Sequence, residues 1–437
     1  MNDSVGIYDS GFEAYKNVTS EEYQTVLRTG IVIVDTNVLL HLYRYHSGTR
    51  KDLIDILDAI KDQLWVPHQA MHEFWQRRSG VVVGRSKEIE DTVDGIRASG
   101  LHMNEGIRTW ANRIGLPATE KQQILDRIET TIAYVSEQIR TLSAIEATVD
   151  ASTESDPILF ALEPILAGKV GRPLSPEILR EAKKEALQRI ADKRPPGWRD
   201  GQKKENKEGD YLVWFQSLQE AKKRGVDVLF VTDDAKADWW RIEHGETKGP
   251  LPELVHDMRE VANVRLYMTR PETLLLHAKD VLGKEVSDDS IRDVQRVSNL
   301  VDMRSEAERS QERYFQYENA VATAIASLGY HLIRGDRERD TGFDLLIGSH
   351  AGTRRLIHAE IKYSSRPMNA WAVRHLAVRA GKSRSPVVLI ANSSFDDSVQ
   401  DAFARSAADV TAIVWKNDSD TQQLGLALKE IFDALAE

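Results

Sequence analysis

Four consecutive β-branched residues, Ile31-Val32-Ile33-Val34, run without a polar interruption into Asp35. Such a run reads as a buried strand, and the TNVLLHLYRY that follows reads as the start of a helix. The alternation continues along the N-terminal half. Helical periodicity resumes over 51–60, a short strand at 64–66 stops at Pro67, and the helix HQAMHEFWQRR follows. A helix over 210–223 leads into a strand over 226–231, and another strand is expected at 264–268. Strands alternating with helices specify an α/β fold with a parallel sheet. Residues 85–150 break the rhythm, with apolar residues at threes and fours (Ile124, Ile128, Ile132, Val135, Ile139, Leu142). This stretch is too long for a strand-to-helix connection and reads as an inserted helical arm, its stripe packing within the arm or across a homo-oligomer. Residues 193–209 (KRPPGWRDGQKKENKEG) mix Pro, Gly and charge and read as a loop.

The 437 residues allow two or three domains at about 150 residues each. A second organisation begins after 280: a charged helical linker over 281–311, a helix over 312–328 closed by Gly329, then strands near 330–333, 343–347, 356–363, 387–391 and 412–415. The expected domains are therefore 1–280, with the helical insertion, and a smaller α/β domain over 312–437.

Composition excludes several classes of function. There is no cysteine, so disulfides, zinc ribbons and thiol catalysis are ruled out. Lys plus Arg total 58 against 68 Asp plus Glu, a formal charge of −10, which excludes a surface uniformly coated in positive charge. It leaves open a carboxylate-built metal site flanked by local basic patches. The start MNDSVGIYDS lacks a basic segment followed by an apolar one, and no apolar run approaches the roughly 18 residues that span a bilayer. A cytoplasmic chain with no membrane partner is expected.

Acidic residues fall where an open α/β sheet places its ligands, at the carboxyl ends of strands or on the helices beyond. Asp35 ends the first strand, Glu73 lies on the helix after the second, Asp210 opens a helix, and Asp233 and Asp234 end the strand VDVLFV. One carboxylate at a strand tip is commonplace, because turns favour Asp. Several converging on one crevice repel one another unless a divalent cation sits between them.

The segments IVIVDTNVLLHLYRY, PHQAMHEFWQRR and GDYLVWFQSLQEAKKRGVDVLFVTDDAKADWW resemble the PIN-like nuclease family, in particular its larger bacterial branch, over roughly 30–270. The resemblance implies a Rossmann-like parallel sheet and a nuclease using Mg²⁺ or Mn²⁺ on RNA or DNA. It puts Asp35, Glu73, Asp210 and Asp234 in the metal-binding positions, with Asp233 in the variable slot of a Thr-x-Asp pattern, where it assists. Asn37 and Thr232 would orient these groups. The long helical insertion departs from minimal members of the family. Two rival patterns fall behind. A strand-end Asp nucleophile similar to that of haloacid-dehalogenase-like phosphatases needs an acid where Asn37 stands, and the Gly-x-Gly-x-x-Gly of a dinucleotide-binding fold is absent.

A second group lies near the C-terminus. RLIHAEIKYSS alternates, so Leu356, His358, Glu360 and Lys362 share one strand face, with Glu360 and Lys362 about 7 Å apart. Upstream, TGFDLLIG puts Asp344 at the start of a neighbouring strand, and Glu318 lies on the preceding helix. The pattern resembles the PD-(D/E)XK restriction-endonuclease-like fold over roughly 312–437, with Phe343 where the motif's proline is usually written. That resemblance implies a catalytic core of Asp344, Glu360 and Lys362, and a metal site of Asp344, Glu360 and Glu318.

Other residues weigh less. His68 and His72 lack a third metal partner, and Trp239-Trp240 fit packing better than base stacking. Arg77, Arg78, Arg85 and the basic loop flank the first acids, and Arg334, Arg337 and Arg339 precede Asp344, as phosphate contacts would. Two nuclease modules on one chain imply, by analogy alone, defence against foreign nucleic acid. The alternative is a scaffold that binds nucleic acid or a partner with only one active module.

Overall fold

The computed structural model describes residues 6–8, 12–146, 152–202, 206–244, 246–334, 344–349, 356–364, 366–368, 386–396 and 410–435. Lys203 and Lys204 of the basic loop, and Arg337, Arg339 and Phe343 before the second acidic group, lie outside the described residues. The chain divides into two compact units, Met1–Asp302 and Met303–Glu437.

The first unit is built on a parallel sheet of β1 (Ile31–Val34), β2 (Leu64–Trp65), β3 (Val228–Val231) and β6 (Leu266–Thr269), in the order β2-β1-β3-β6. Every residue of β1 and β3 is at most 1% exposed, which is why these strands read as unbroken apolar runs. A short antiparallel pair, β4 (Trp240–Glu243) and β5 (Glu246–Pro250), stands outside the sheet. The helices are α1 (Ser20–Thr29), α2 (Thr36–His41), α3 (Ser47–Ala59), α4 (His68–Ile114), α5 (Ala118–Glu146), α6 (Pro157–Leu166), α7 (Pro176–Ala191), α8 (Gly209–Arg224), α9 (Pro252–Ala262) and α10 (Pro271–Leu282). Strand order reverses at β1: one connection leads to β2 on one side, and β3 pairs on the other. The carboxyl ends of β1 and β3 therefore border the crevice where such sheets take ligands.

The insertion is a helical hairpin. Its first arm, α4, continues unbroken from the helix that carries Glu73, and α5 returns along it. Arg140 pairs with Glu90 at 2.7 Å, and Gly100 lets Ile132 approach to a distance at which a side chain on Gly100 would collide. Much of the predicted stripe (Ile124, Ile128, Ile132, Ile139) is half-buried in this hairpin, while Leu142 is 63% exposed. Trp239 stacks on Phe230 with ring centroids 5.2 Å apart and meets Trp214 edge-on, so the Trp239-Trp240 pair is core.

The stretch 288–327 contains no Gly or Pro, and the expected linker and the helix after it form a single helix, α11 (Asp288–Ser327). In the second unit a five-stranded sheet has the order β11-β10-β9-β8-β7. Strands β7 (His331–Arg334), β8 (Leu345–Gly348) and β9 (Leu356–Lys362) are antiparallel neighbours, while β10 (Val387–Ala391) and β11 (Val410–Val414) continue parallel to β9. Its core joins Ile357, Ala359 and Ile361 of β9 to Val321 and Ile325 of α11 and to Leu424 and Leu428 of α12 (Thr421–Ala434). Among the described residues no helix is long and apolar enough to cross a membrane.

Candidate functional site

Pairing of β1 with β3 aligns Val34 with Val231 and carries the two strand tips out together. Asp35 N donates to Val231 O at 3.0 Å. As the N-cap of α2, Asp35 accepts from Thr36 N at 2.7 Å through Oδ1, and its Oδ2 accepts from the Thr232 hydroxyl at 2.8 Å. That hydroxyl in turn accepts from Asp234 N at 3.1 Å, so one fully buried threonine ties both acidic tips together. This is the orienting role expected of Thr232; Asn37 makes no hydrogen bond to the acids among the described residues.

Glu73 enters from α4 and is 5% exposed. Its Oε1 accepts from Gln69 at 3.0 Å and from Asn206 at 2.9 Å, and its Oε2 lies 3.4 Å from the Arg77 guanidinium. The N-terminus of α8 comes so close that a Cβ on Gly209 would stand 2.5 Å from Glu73 Oε1. A side chain there would push aside the Glu73 carboxylate and the Asn206 amide. The structure brings Asp35, Glu73, Asp210 and Asp234 together. Burial pushes the Asp35 carboxyl up to about 7; Thr232 opposes the shift, and the charges of Asp210, Glu73 and Asp234 reinforce it.

Two residues absent from the sequence reading join Asp210 and Asp234. The Lys236 ammonium lies 2.8 Å from Asp234 Oδ2, 3.0 Å from Asp210 Oδ2 and 3.1 Å from Asp200 Oδ1. Burial works against the charge of Lys236, but Asp210, Asp234 and Asp200 outweigh it and hold the ammonium well above its ordinary range. Behind them, fully buried Asp238 accepts from Gly197 N and Arg199 N through Oδ2, while its Oδ1 has no hydrogen-bond partner. Burial, followed by the charge of Asp210, pushes Asp238 up to about 6. Lys236 stands inside the VTDDAKADWW motif and Asp200 is the only Asp in the basic loop. Their pairing is tertiary and leaves no local pattern.

Two expectations are corrected. Asp233 does not join the metal group: its Oδ2 lies 2.9 Å from His41 Nδ1, and Ser298 Oγ stands 2.7 Å from both its oxygens, all three residues being buried. Adjacent residues in the turn after β3 thus point their carboxylates into different surroundings. Arg78 is no phosphate contact, because it is 3% exposed and committed to Asp156 and, at 2.9 Å, to the Tyr43 hydroxyl. His68 and His72 stack on each other, with His72 Nε2 3.0 Å from Gln76. Arg77 remains 45% exposed beside Glu73.

The chemistry of the donor set suits a hard divalent cation, which takes carboxylate oxygens. Among the described residues no three His or acidic side chains are close enough together to hold a metal ion. The Lys236 ammonium stands among Asp200, Asp210 and Asp234. Its N–H···O contacts run at 2.8–3.1 Å, where a divalent ion draws oxygens to about 2.0–2.6 Å.

In the second unit, Asp344 N donates to Ala359 O at 3.0 Å, and Asp344 Oδ2 accepts from Ile361 N at 2.7 Å. Lys362 Nζ lies 2.6 Å from Glu360 Oε1. Glu318 and Glu360 are buried, and Tyr314, one turn before Glu318 on α11, hydrogen-bonds to Asp344. Burial raises the Tyr314 hydroxyl far above its ordinary range, and Asp344, Glu318 and Glu360 raise it further. Asp344, Glu360, Lys362 and Glu318 therefore share one neighbourhood, with Tyr314 as a member the sequence pattern does not reveal.

The family model described as "PIN like domain" matches residues 31–254, slightly more than half of the chain and all of the first acidic group. No curated protein and no solved structure matches.

The Asp35 environment has a pH signature. Its carboxyl ionises near 3.8 when unfolded and near 7 in the metal-free folded chain. Stability is therefore unpenalised below about pH 4, falls as pH rises toward 7, and stays reduced above it. In EDTA, Asp35→Asn should escape this loss and gain on wild type by about 1–3 kcal/mol between pH 4 and 7.5 in urea unfolding. Identical pH dependence of the two proteins would show that Asp35 is not buried among like charges.

Proposed function

The chain belongs to the PIN-like domain family, and from that premise we propose that it is a nuclease dependent on Mg²⁺ or Mn²⁺ that hydrolyses phosphodiester bonds of RNA or DNA at the Asp35 crevice. The observation that carries the reading is the convergence of Asp35, Glu73, Asp210 and Asp234, whose charges reinforce the shift that burial imposes on the Asp35 carboxyl. Asp35, Asp210 and Asp234 would hold the cation, with Glu73 completing the negative wall of the site. The bound cation supplies Lewis acidity toward phosphate oxygens and makes water acidic enough for in-line attack. Thr232 fixes the Asp35 and Asp234 tips in mutual register, and Gln69 and Asn206 fix Glu73. Arg77, half exposed beside Glu73, offers its guanidinium to a phosphate oxygen.

For the second unit the proposed reading is a restriction-endonuclease-like module. Asp344, Glu360 and Glu318 hold a cation there, and Lys362 offers its ammonium to the phosphate or to the attacking water. Two nuclease modules on one cytoplasmic chain fit defence against foreign nucleic acid. The gathering of Asp344 and the buried Glu318 and Glu360 around the Tyr314 hydroxyl supports a carboxylate site over a purely structural strand face.

The test is cleavage of labelled single- and double-stranded RNA and DNA with Mg²⁺, Mn²⁺ or EDTA. Asp234→Ala should remove cleavage at the first site by two orders of magnitude or more, as loss of a metal ligand does. Asp233→Ala should act chiefly by lowering stability, since its carboxylate serves His41 and Ser298. Equal losses of activity at equal stability would return Asp233 to the metal group.

Lys362→Ala should abolish a separate, DNA-directed activity and leave the Asp35-dependent one intact. Wild-type rates from Asp344→Ala, Glu360→Ala and Lys362→Ala on every substrate would make the second unit a binding module.

A further inference from the structure

The cation position of the first unit has a resident of its own. The three N–H groups of the Lys236 ammonium meet three carboxylates, those of Asp234, Asp210 and Asp200, at 2.8–3.1 Å. Asp200 offers both oxygens, each 3.1 Å away. The backbone closes the arrangement, since Lys236 N donates to Asp234 Oδ1 at 3.0 Å, so both oxygens of Asp234 are bound to one residue. Asp200 is 4% exposed and held on a loop pinned by Asp238, whose buried Oδ1 lacks a partner. A site with this much buried negative charge is built for a cation, and a tethered ammonium fills it.

We propose that Lys236 is an exchangeable internal competitor of the divalent cation: its ammonium neutralises Asp200, Asp210 and Asp234 until the metal displaces it, and Asp200 then remains as a further ligand of that position. This rests on the nuclease reading only in requiring a divalent ion at the crevice. The exchange is set by charge and distance. A doubly charged ion attracts the three carboxylates more strongly than a single ammonium and draws them closer. The ammonium, however, is tethered, and its high effective concentration lowers the apparent affinity of any free ion. The Lys236 side chain is 15% exposed, so part of its stem already meets solvent. The displaced ammonium is then close enough to the crevice to meet substrate phosphate.

The experiment uses the full chain, stripped with EDTA and dialysed, and titrates Mn²⁺ by calorimetry into wild type, Lys236→Met and Asp200→Asn. Lys236→Met keeps the stem without the charge and should bind Mn²⁺ about tenfold more tightly. Asp200→Asn should bind it severalfold more weakly than wild type. Equal or weaker binding by Lys236→Met would overturn the competition, and unchanged binding by Asp200→Asn would remove Asp200 as a ligand. If none of the three proteins binds Mn²⁺ at millimolar concentration, the metal-dependent reading of the crevice falls, and the competition with it. A measurement on wild type guards against a variant that fails to fold: reductive methylation followed by peptide mass spectrometry, with and without saturating Mg²⁺. Lys236 should be protected without the metal and become severalfold more reactive with it, while the exposed Lys51 and Lys223 stay constant as controls. Unchanged or diminished labelling of Lys236 would overturn the proposal.

Discussion

Crowding of carboxylates at a largely water-excluded crevice governs the first unit. Asp35, Glu73, Asp210 and Asp234 arrive from four separate segments at one crevice, where little water screens them. Such a group is tolerated in three ways: by protonation, by hydrogen bonds, or by a cation. All three are visible. The Asp35 carboxyl is pushed up to about 7, Thr232 and Thr36 donate to it, and Lys236 stands among Asp200, Asp210 and Asp234.

The sheet is what imposes the convergence. Parallel pairing of β1 and β3 places two acidic tips side by side, and the reversal of strand order at β1 leaves room above them. Helix α4 brings Glu73 to the rim and continues as the insertion hairpin, so the arm and the site share one rigid element. Gly209 allows α8 to deliver Asp210 against Glu73. The turn after β3 also faces the other way: Asp233 engages His41 of α2 and Ser298 of α11, fixing the backbone that presents Asp234.

What sequence could reveal follows from the range of each interaction. The apolar runs of β1 and β3, and the acids at their tips, are local patterns and were legible, as was the strict alternation that puts Glu360 and Lys362 on one face of β9. Whether Asp233 or Asp234 faces the crevice depends on a turn of two residues, and only the Thr-x-Asp pattern pointed to the latter. Lys236 and Asp200 lie 36 residues apart and meet only because the loop before α8 folds back over the turn after β3. A lysine in a polar turn otherwise reads as solvated. Arg78 misled for the same reason, since Asp156, 78 residues away, buries it. Tyr314 escaped notice because nothing local ties a tyrosine on α11 to an aspartate at the start of β8.

Manganese scattering addresses the centre of this physics most directly. Crystals of the full chain grown with Mn²⁺ and measured at its absorption edge should give an anomalous peak among Asp35, Asp210 and Asp234, with the Lys236 ammonium withdrawn from Asp210 and Asp234. Crystals that hold no manganese there at saturating concentration, with Lys236 still bridging Asp200, Asp210 and Asp234, would contradict a cation-centred site.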